Sequence, residues 1–243
     1  KEARNEIMSL LEVTKDQNQR LRNFAHIVSH NLRSHSSNFS SLLDIFNMEH
    51  PELNENQIIQ LLGTASENLR ETIEHLNEVV VINTSVKENL NECNLRDFVE
   101  NAVENTSALA MDGQVNVEYN IDKDITIQGI PAYLDSILLN FITNGIKYRS
   151  LERNSFIKLY SENDDITGEI ILNIQDNGLG IDLQRHGHKL FGMYNTFHRH
   201  KDSRGIGLFI TKNQIEAIGA RIEVESEVNQ GTLFKILFKN EEN

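Results

Sequence analysis

Cysteine, proline and long apolar runs are scarce in this chain, and each scarcity excludes something. Cys93 is the single cysteine among 243 residues. An intramolecular disulfide framework and a cysteine-rich zinc site are therefore ruled out. No run approaches the ~18 consecutive apolar residues of a membrane span, so no segment is expected to cross a bilayer. Basic charge is also in short supply. Lys and Arg number 23 against 36 Asp and Glu, a formal net charge of −13 spread over both halves of the chain. Phosphate contacts along a duplex need a basic face, so a nucleic-acid-binding surface is not expected. With 39% hydrophobic and 24% charged residues the composition is globular. The length allows one or two domains with a sizeable core. The chain starts at Lys1, not Met, and no signal sequence follows; it is expected to be a piece of something longer.

The two prolines, Pro51 and Pro131, both mark boundaries. Residues 1–47 hold neither Pro nor Gly, and Ile7, Leu10, Thr14, Gln17, Leu21, Phe24 and Val28 recur at alternating spacings of three and four. That is a heptad seam with two polar positions. The polar stretch 47–56 around Pro51 reads as a turn. A second seam follows through Ile58, Leu62, Ala65, Leu69, Thr72 or Ile73, Leu76 and Val80. Two amphipathic helices joined by a turn make an antiparallel hairpin with little core of its own. Two such hairpins from two chains close into a four-helix bundle, so a homodimer is expected.

The pattern changes near residue 88. Leu95 to Ala110 has helical spacing, as do Pro131 to Tyr148 and Ile206 to Gly219, with Pro near the start of one and Gly at the end of the other. Residues 115–121, 156–162, 168–175, 221–226 and 232–239 read as strands. Strands mixed with helices give an α+β domain of about 150 residues. The expected domains are 1–88 and 89–243.

Three local signals carry chemistry. On the second of these helices Asn140, Asn144 and Lys147 fall at i, i+4 and i+7 and so share a face. Two amides and an ammonium suit a hydrated Mg²⁺ and a polyphosphate; a solvated polar face is the ordinary alternative. The stretch 176-DNGLG-180 follows a strand and supplies a carboxylate beside Gly178 and Gly180, which permit close backbone approach. Taken alone it also reads as an Asp-Asn-Gly turn. The stretch 204-RGIGL-208 opens a helix, where glycines build an anion cradle.

Together and in this order, the three resemble the N, G1 and G2 boxes of the histidine-kinase catalytic domain, of the GHKL ATPase superfamily and the Bergerat fold. The stretch 190-LFGMYNTF-197 resembles the F box and ATP lid, 231-GTLF-234 the terminal strand, and 24-FAHIVSHNLRSHSSNFSSLL-43 the H box of the dimerisation and phosphotransfer hairpin. The likeness spans nearly the whole chain. It implies a helical hairpin forming a dimeric four-helix bundle, followed by a two-layer α/β sandwich that binds ATP. It also implies the roles. His30 is similar to the phosphoacceptor, with Asn31 and Ser34 beside it in the H box. Asn144 matches the Mg²⁺ ligand, Asn140 its partner amide, Lys147 the phosphate-contacting lysine and Tyr148 the aromatic beside adenine. Asp176 matches the carboxylate accepting from the adenine amino group. Gly178, Gly180, Gly205 and Gly207 match the approach glycines, with Leu208 and Arg204 in the same nucleotide-binding boxes. Thr232 matches the threonine that supports the adenine contact.

The expected activity is that of a two-component autokinase in the cytoplasm. ATP and Mg²⁺ serve as nucleotide and cofactor, His30 is phosphorylated, and the phosphoryl group passes to an aspartate on a response-regulator receiver domain. Any membrane attachment would lie in parts missing from this chain. His30 sits two positions past the seam residue Val28, which turns it outward. An imidazole with the usual pKa near ~6.5 keeps a free lone pair at pH 7.

Departures from the family pattern matter. Asn31 stands where the family has an acidic residue, and an amide cannot accept a proton as a base. Slow autophosphorylation is the expectation, and a nucleotide-binding pseudokinase scaffold is the alternative. Ser34 replaces the usual Thr or Asn tied to phosphatase activity, and His35 a helix-kinking Pro. Arg204 stands where Gly is common and offers a bidentate phosphate contact. A GHKL ATPase that merely hydrolyses ATP needs a catalytic Glu in the N-box helix, and 140–148 has none. Residues 185–204 hold four of the nine histidines and five Lys or Arg. A nucleotide-covering lid of positive potential accounts for them better than a metal site on His186 and His188, or His198 and His200.

Overall fold

The computed structural model describes residues 2–53, 55–82, 90–164, 166–192 and 205–239; within the two long helices side chains are described only in part, and that of His30 lies outside them. The chain divides into two compact units, Lys1–Thr84 and Ser85–Asn243. No helix among the described residues is long and apolar enough to cross a membrane.

The first unit is a hairpin of α1 (Glu2–Glu49) and α2 (Gln57–Ile82), joined through a 3-10 turn at Pro51–Leu53. Without Pro or Gly to interrupt it, α1 runs unbroken past His35 and three residues into the stretch expected to turn. Pro51 then stops it, since proline cannot continue the backbone ladder. Asn56 opens α2 by accepting the Ile58 N–H through Oδ1 at 2.9 Å. The hairpin buries Ser36, Ser66 and Ile73. The heptad positions Ile58, Leu62 and Leu69 stay exposed in the single chain, as do Phe39, Leu42 and Ile45 on α1. One hairpin thus leaves most of its described large apolar side chains in water.

The second unit begins with β1 (Asn91–Asn94), α3 (Leu95–Asp112), β2 (Val115–Asn120) and β3 (Thr126–Gly129). The sequence reading missed β1 and β3. They pair only with each other, antiparallel, and at four residues each they carry too little periodicity to stand out. Then come α4 (Pro131–Lys147), β4 (Ser155–Asn163), β5 (Ile170–Asp176), a single turn α5 (Leu183–His186), α6 (Gly207–Ala217), β6 (Arg221–Glu227) and β7 (Gly231–Phe238).

The main sheet has the order β2-β4-β5-β7-β6. Only the β2–β4 pair is parallel. A parallel pair needs a long crossover, and α4 lies within it. One layer of helices covers the sheet. The core joins Val99 of α3 and Ile137, Phe141 and Ile142 of α4 to Ile157, Leu159, Leu172, Ile174 and Ile236 of the strands. Phe141 stacks on Phe234 with ring centroids 4.7 Å apart. This mixed α/β sandwich sets the apolar stripe of α4 against the sheet and leaves the stripe beside it, Asn140, Asn144 and Lys147, half-buried at its rim.

Candidate nucleotide-binding site

The site is built where β5 ends. Asp176 faces Thr232 across the β5–β7 ladder. Its Oδ1 accepts from the Gly178 N–H at 2.8 Å and from the Thr232 N–H at 3.3 Å. Its other carboxylate oxygen has no partner among the described residues. Burial raises the Asp176 pKa above the ordinary carboxylate value, and the two N–H bonds pull it back only in part. A half-buried acceptor with one oxygen held and one open is suited to a ligand that donates, such as an exocyclic amine.

The loop after Asp176 is clamped from three sides. The Leu179 N–H donates to the Tyr148 carbonyl at 2.9 Å, which ties the loop to the end of α4. A Cβ on Gly178 would stand 2.5 Å from that same carbonyl, so no other residue fits this approach. Asn177 fills the space behind the loop, accepting from the Phe156 N–H and donating to the Asn154 carbonyl, both at 2.9 Å. Arg153 reaches the Gly178 carbonyl at 3.3 Å. On the far side Ser226 accepts the Ile181 N–H and donates to the Gly231 carbonyl, each at 2.8 Å. Gly180 has φ +65, and a Cβ there would overlap the Glu227 carbonyl oxygen at 1.9 Å.

The α4 rim supplies the polar groups opposite. Asn144 Nδ2 donates to Asn140 Oδ1 at 3.2 Å, and Asn140 Nδ2 donates to Thr211 Oγ1 on α6 at 2.5 Å. The Asn144 carbonyl oxygen Oδ1 has no partner among the described residues. Lys147 Nζ lies 5.6 Å from the Tyr148 ring centroid. Gly205 (φ +69) and Gly207 lead into α6, and Leu208 is half-buried against the core. Phe191, from the F-box stretch, lies under Lys212 Nζ at 5.3 Å and so ties that stretch to α6.

The structure thus brings Asp176, Gly178, Gly180 and Thr232 together at one sheet end, and Asn140 with Asn144 on one helix face. Thr232 reaches Asp176 through its backbone N–H; its hydroxyl sits 2.9 Å from the Ser226 hydroxyl instead. Arg204 lies outside the described residues, as do residues 193–203 of the lid stretch and the His30 side chain. Asn31, Ser34 and His35 are exposed on α1. No group of three His, Cys, Asp or Glu placed to hold a metal occurs among the described residues.

Asn177, Arg153, Ser226 and Thr211 were not foreseen. Asn177 alone had a signal, its place inside the 176–180 motif. Each of the other three has a partner 25 to 71 positions away.

Residues 129–242 match the family described as histidine kinase-, DNA gyrase B- and HSP90-like ATPases. The matched segment holds Asp176, the Asn140–Asn144 face and α6, and the match supports the likeness read from the sequence, to the core of a sensor histidine kinase. The signal transduction histidine-protein kinase ArlS of Staphylococcus haemolyticus is 30% identical over 151 residues, covering 61% of this chain and 32% of that protein. The chain spans about a third of the length of the curated relatives it matches. Among solved structures, full-length ShkA in complex with AMPPNP superposes with a TM-score of 0.67 at 18% identity, over 89% of this chain and 45% of that one. The Acinetobacter baumannii histidine kinase AdeS gives 0.59 at 17% identity, over 82% and 93%. At such identities the structural likeness concerns the fold.

Proposed function

We propose that this chain is the ATP-dependent autokinase core of a two-component sensor, with 1–88 as the dimerisation and phosphotransfer domain and 89–243 as the catalytic domain. The observation that carries the reading is Asp176. It is a half-buried carboxylate with one oxygen held by two backbone N–H groups and the other without a partner among the described residues, at the end of β5 in the segment that matches the ATPase family.

Asp176 accepts from the adenine amino group, with the glycines at 178 and 180 letting backbone approach the base and Tyr148 beside it. Asn144 would hold Mg²⁺ through its open Oδ1, an oxygen ligand of the type the ion prefers. When bound, Mg²⁺ neutralises charge on the phosphates. Lys147, Gly205, Gly207 and Arg204 contact the phosphates. The neutral imidazole of His30 attacks the γ-phosphorus. A P–N bond forms, the bond to the ADP oxygen breaks, and the ring releases a proton. The phosphoryl group then passes to an aspartate of a receiver domain. Catalysis is chiefly positioning and charge neutralisation. The exposed apolar stripes of α1 and α2 support a homodimer closed as a four-helix bundle. The core is placed in the cytoplasm.

Incubation of the chain with γ-labelled ATP and Mg²⁺ tests the reading. Acid-labile, base-stable phosphate on the protein is the expected result. Tight nucleotide binding with no label at any time would leave only a scaffold.

A further inference from the structure

Two side-chain bridges join α4 to α6. Gln214 Nε2 donates to Ser136 Oγ at 3.1 Å, and Asn140 Nδ2 donates to Thr211 Oγ1 at 2.5 Å. Positions rise by four on α4 while they fall by three on α6, so the helices run antiparallel and the bridges occupy successive turns. The next turn of this ladder holds Asn144 on one side and the start of α6 on the other. A Cβ on Gly207 would come within 2.7 Å of Asn140 Oδ1. The ladder therefore leads from buried packing at Gln214 out to the rim of the nucleotide site.

Asn140 uses both ends of its amide. Because Nδ2 donates to Thr211, Oδ1 is the atom turned toward Asn144. Because Oδ1 is an acceptor, it takes the Nδ2 end of Asn144. The Asn144 Oδ1 is what remains, without a partner among the described residues. Mg²⁺ takes oxygen ligands, and an NH₂ in that place would repel it. Thr211 is 1% exposed, so water does not readily replace its hydroxyl.

We propose that Thr211 is a positioning residue of the nucleotide site. By accepting from Asn140, its hydroxyl fixes which end of the Asn144 amide faces the metal. This rests on the reading above, in which Asn144 ligates Mg²⁺. It adds a residue on α6, touching neither ion nor nucleotide, that sets the strength of the Mg²⁺ effect. Gln214 makes the companion bridge one turn further in, and its Oε1 is buried without a partner. That bridge belongs to packing and serves as the internal control.

The test is ATP affinity by calorimetry, with Mg²⁺ and with EDTA, on the whole chain and its Thr211→Val, Thr211→Ser, Gln214→Leu and Asn144→Ala variants. Melting temperatures confirm the fold of each. The parent should bind more tightly with Mg²⁺. Thr211→Val should shrink that gain about three- to tenfold, the worth of one hydrogen bond. Its affinity in EDTA should stay within about twofold of the parent's. Thr211→Ser should restore the gain, and Gln214→Leu should keep it. If Thr211→Val does not fold, Thr211→Ala is read in the same way. The proposal is overturned if Thr211→Val keeps the full gain, or if Gln214→Leu loses as much. Should Asn144→Ala abolish the gain while Thr211→Val leaves it intact, Thr211 alone is misassigned. A parent with no Mg²⁺ gain at all removes the proposal together with the metal-ligand assignment beneath it.

Discussion

Asp176 concentrates the chemistry of the site in one side chain. Burial raises its pKa, and the carboxylate is the form that accepts from an amino group. On acidification the protonated form therefore accumulates at higher pH than for an exposed aspartate, and adenine-nucleotide affinity should fall off in that same raised window. The linkage sign for the empty protein is opposite. A folded pKa raised above the unfolded value gives stability that is present at low pH and lost as pH rises through the folded pKa. Ionised Asp176 thus strains the unliganded fold at pH 7. Asp176→Asn keeps an oxygen for the Gly178 and Thr232 N–H groups but points an NH₂ where the open oxygen was. It should weaken ATP binding by roughly 10- to 100-fold, the range for a bond to a charged acceptor. It should also flatten the acid limb and leave the melting temperature of the unliganded protein at pH 7 equal or higher. Calorimetry across pH and a thermal scan read all three. On the proposed reading, Asn31, exposed on α1 and next to His30 in the chain, stands where a base would be. A well-placed base contributes typically ~10²–10⁴-fold, less where the nucleophile is already neutral. Asn31→Glu or Asn31→Asp should speed single-turnover labelling. The parent rate should rise between pH about 6 and 7.5 as imidazolium is depleted. If both variants label more slowly than the parent, Asn31 orients the ring instead.

Loops and strand ends hold the site in shape more than the helices do. The 176–181 loop hangs from Tyr148, Asn177 and Ser226. Ser226→Ala removes the acceptor for the Ile181 N–H and the donor to the Gly231 carbonyl. An unsatisfied pair of this kind costs about 1–3 kcal/mol. For a unit of this size that lowers the melting temperature by roughly 3–10 °C. Differential scanning should find that drop, with weaker nucleotide binding beside it; an unchanged melting temperature would show that the clamp is redundant. This clamp also shows what a sequence can disclose. The five main strands and the three longer helices, α3, α4 and α6, of the second unit were readable because each carries several periods of apolar spacing, and Asp176 and Asn144 because they stand inside local motifs. Ser226 was not readable, since a serine in a charged edge strand looks like surface until its register against Gly231 and Thr232 is known. Thr211 was hidden for a like reason: its partner Asn140 lies 71 positions earlier. Thr232 was singled out by its place in the terminal-strand motif, and its bond to Asp176 runs through its backbone, which no residue type announces.

At the scale of the whole molecule the two units differ in self-sufficiency. The second has a continuous core reaching from α3 to β7. The first buries Ile73 but leaves Ile58, Leu62, Leu69, Phe39 and Leu42 exposed, a surface that calls for a partner. Fragment 1–88 should therefore sediment as a helical dimer, and fragment 89–243 as a monomer that still binds ATP. A monomeric, well-folded 1–88 would remove the dimer. The central claim joins the units through one atom: phosphate from ATP ends on the imidazole of His30. The most direct measurement is labelling by γ-labelled ATP in the parent and in His30→Ala, with nucleotide affinity measured alongside. The account predicts acid-labile, base-stable label in the parent, none in His30→Ala, and ATP affinity nearly equal in the two. Undiminished label in His30→Ala would contradict it and move the phosphoacceptor to another side chain, His26 or His35 first.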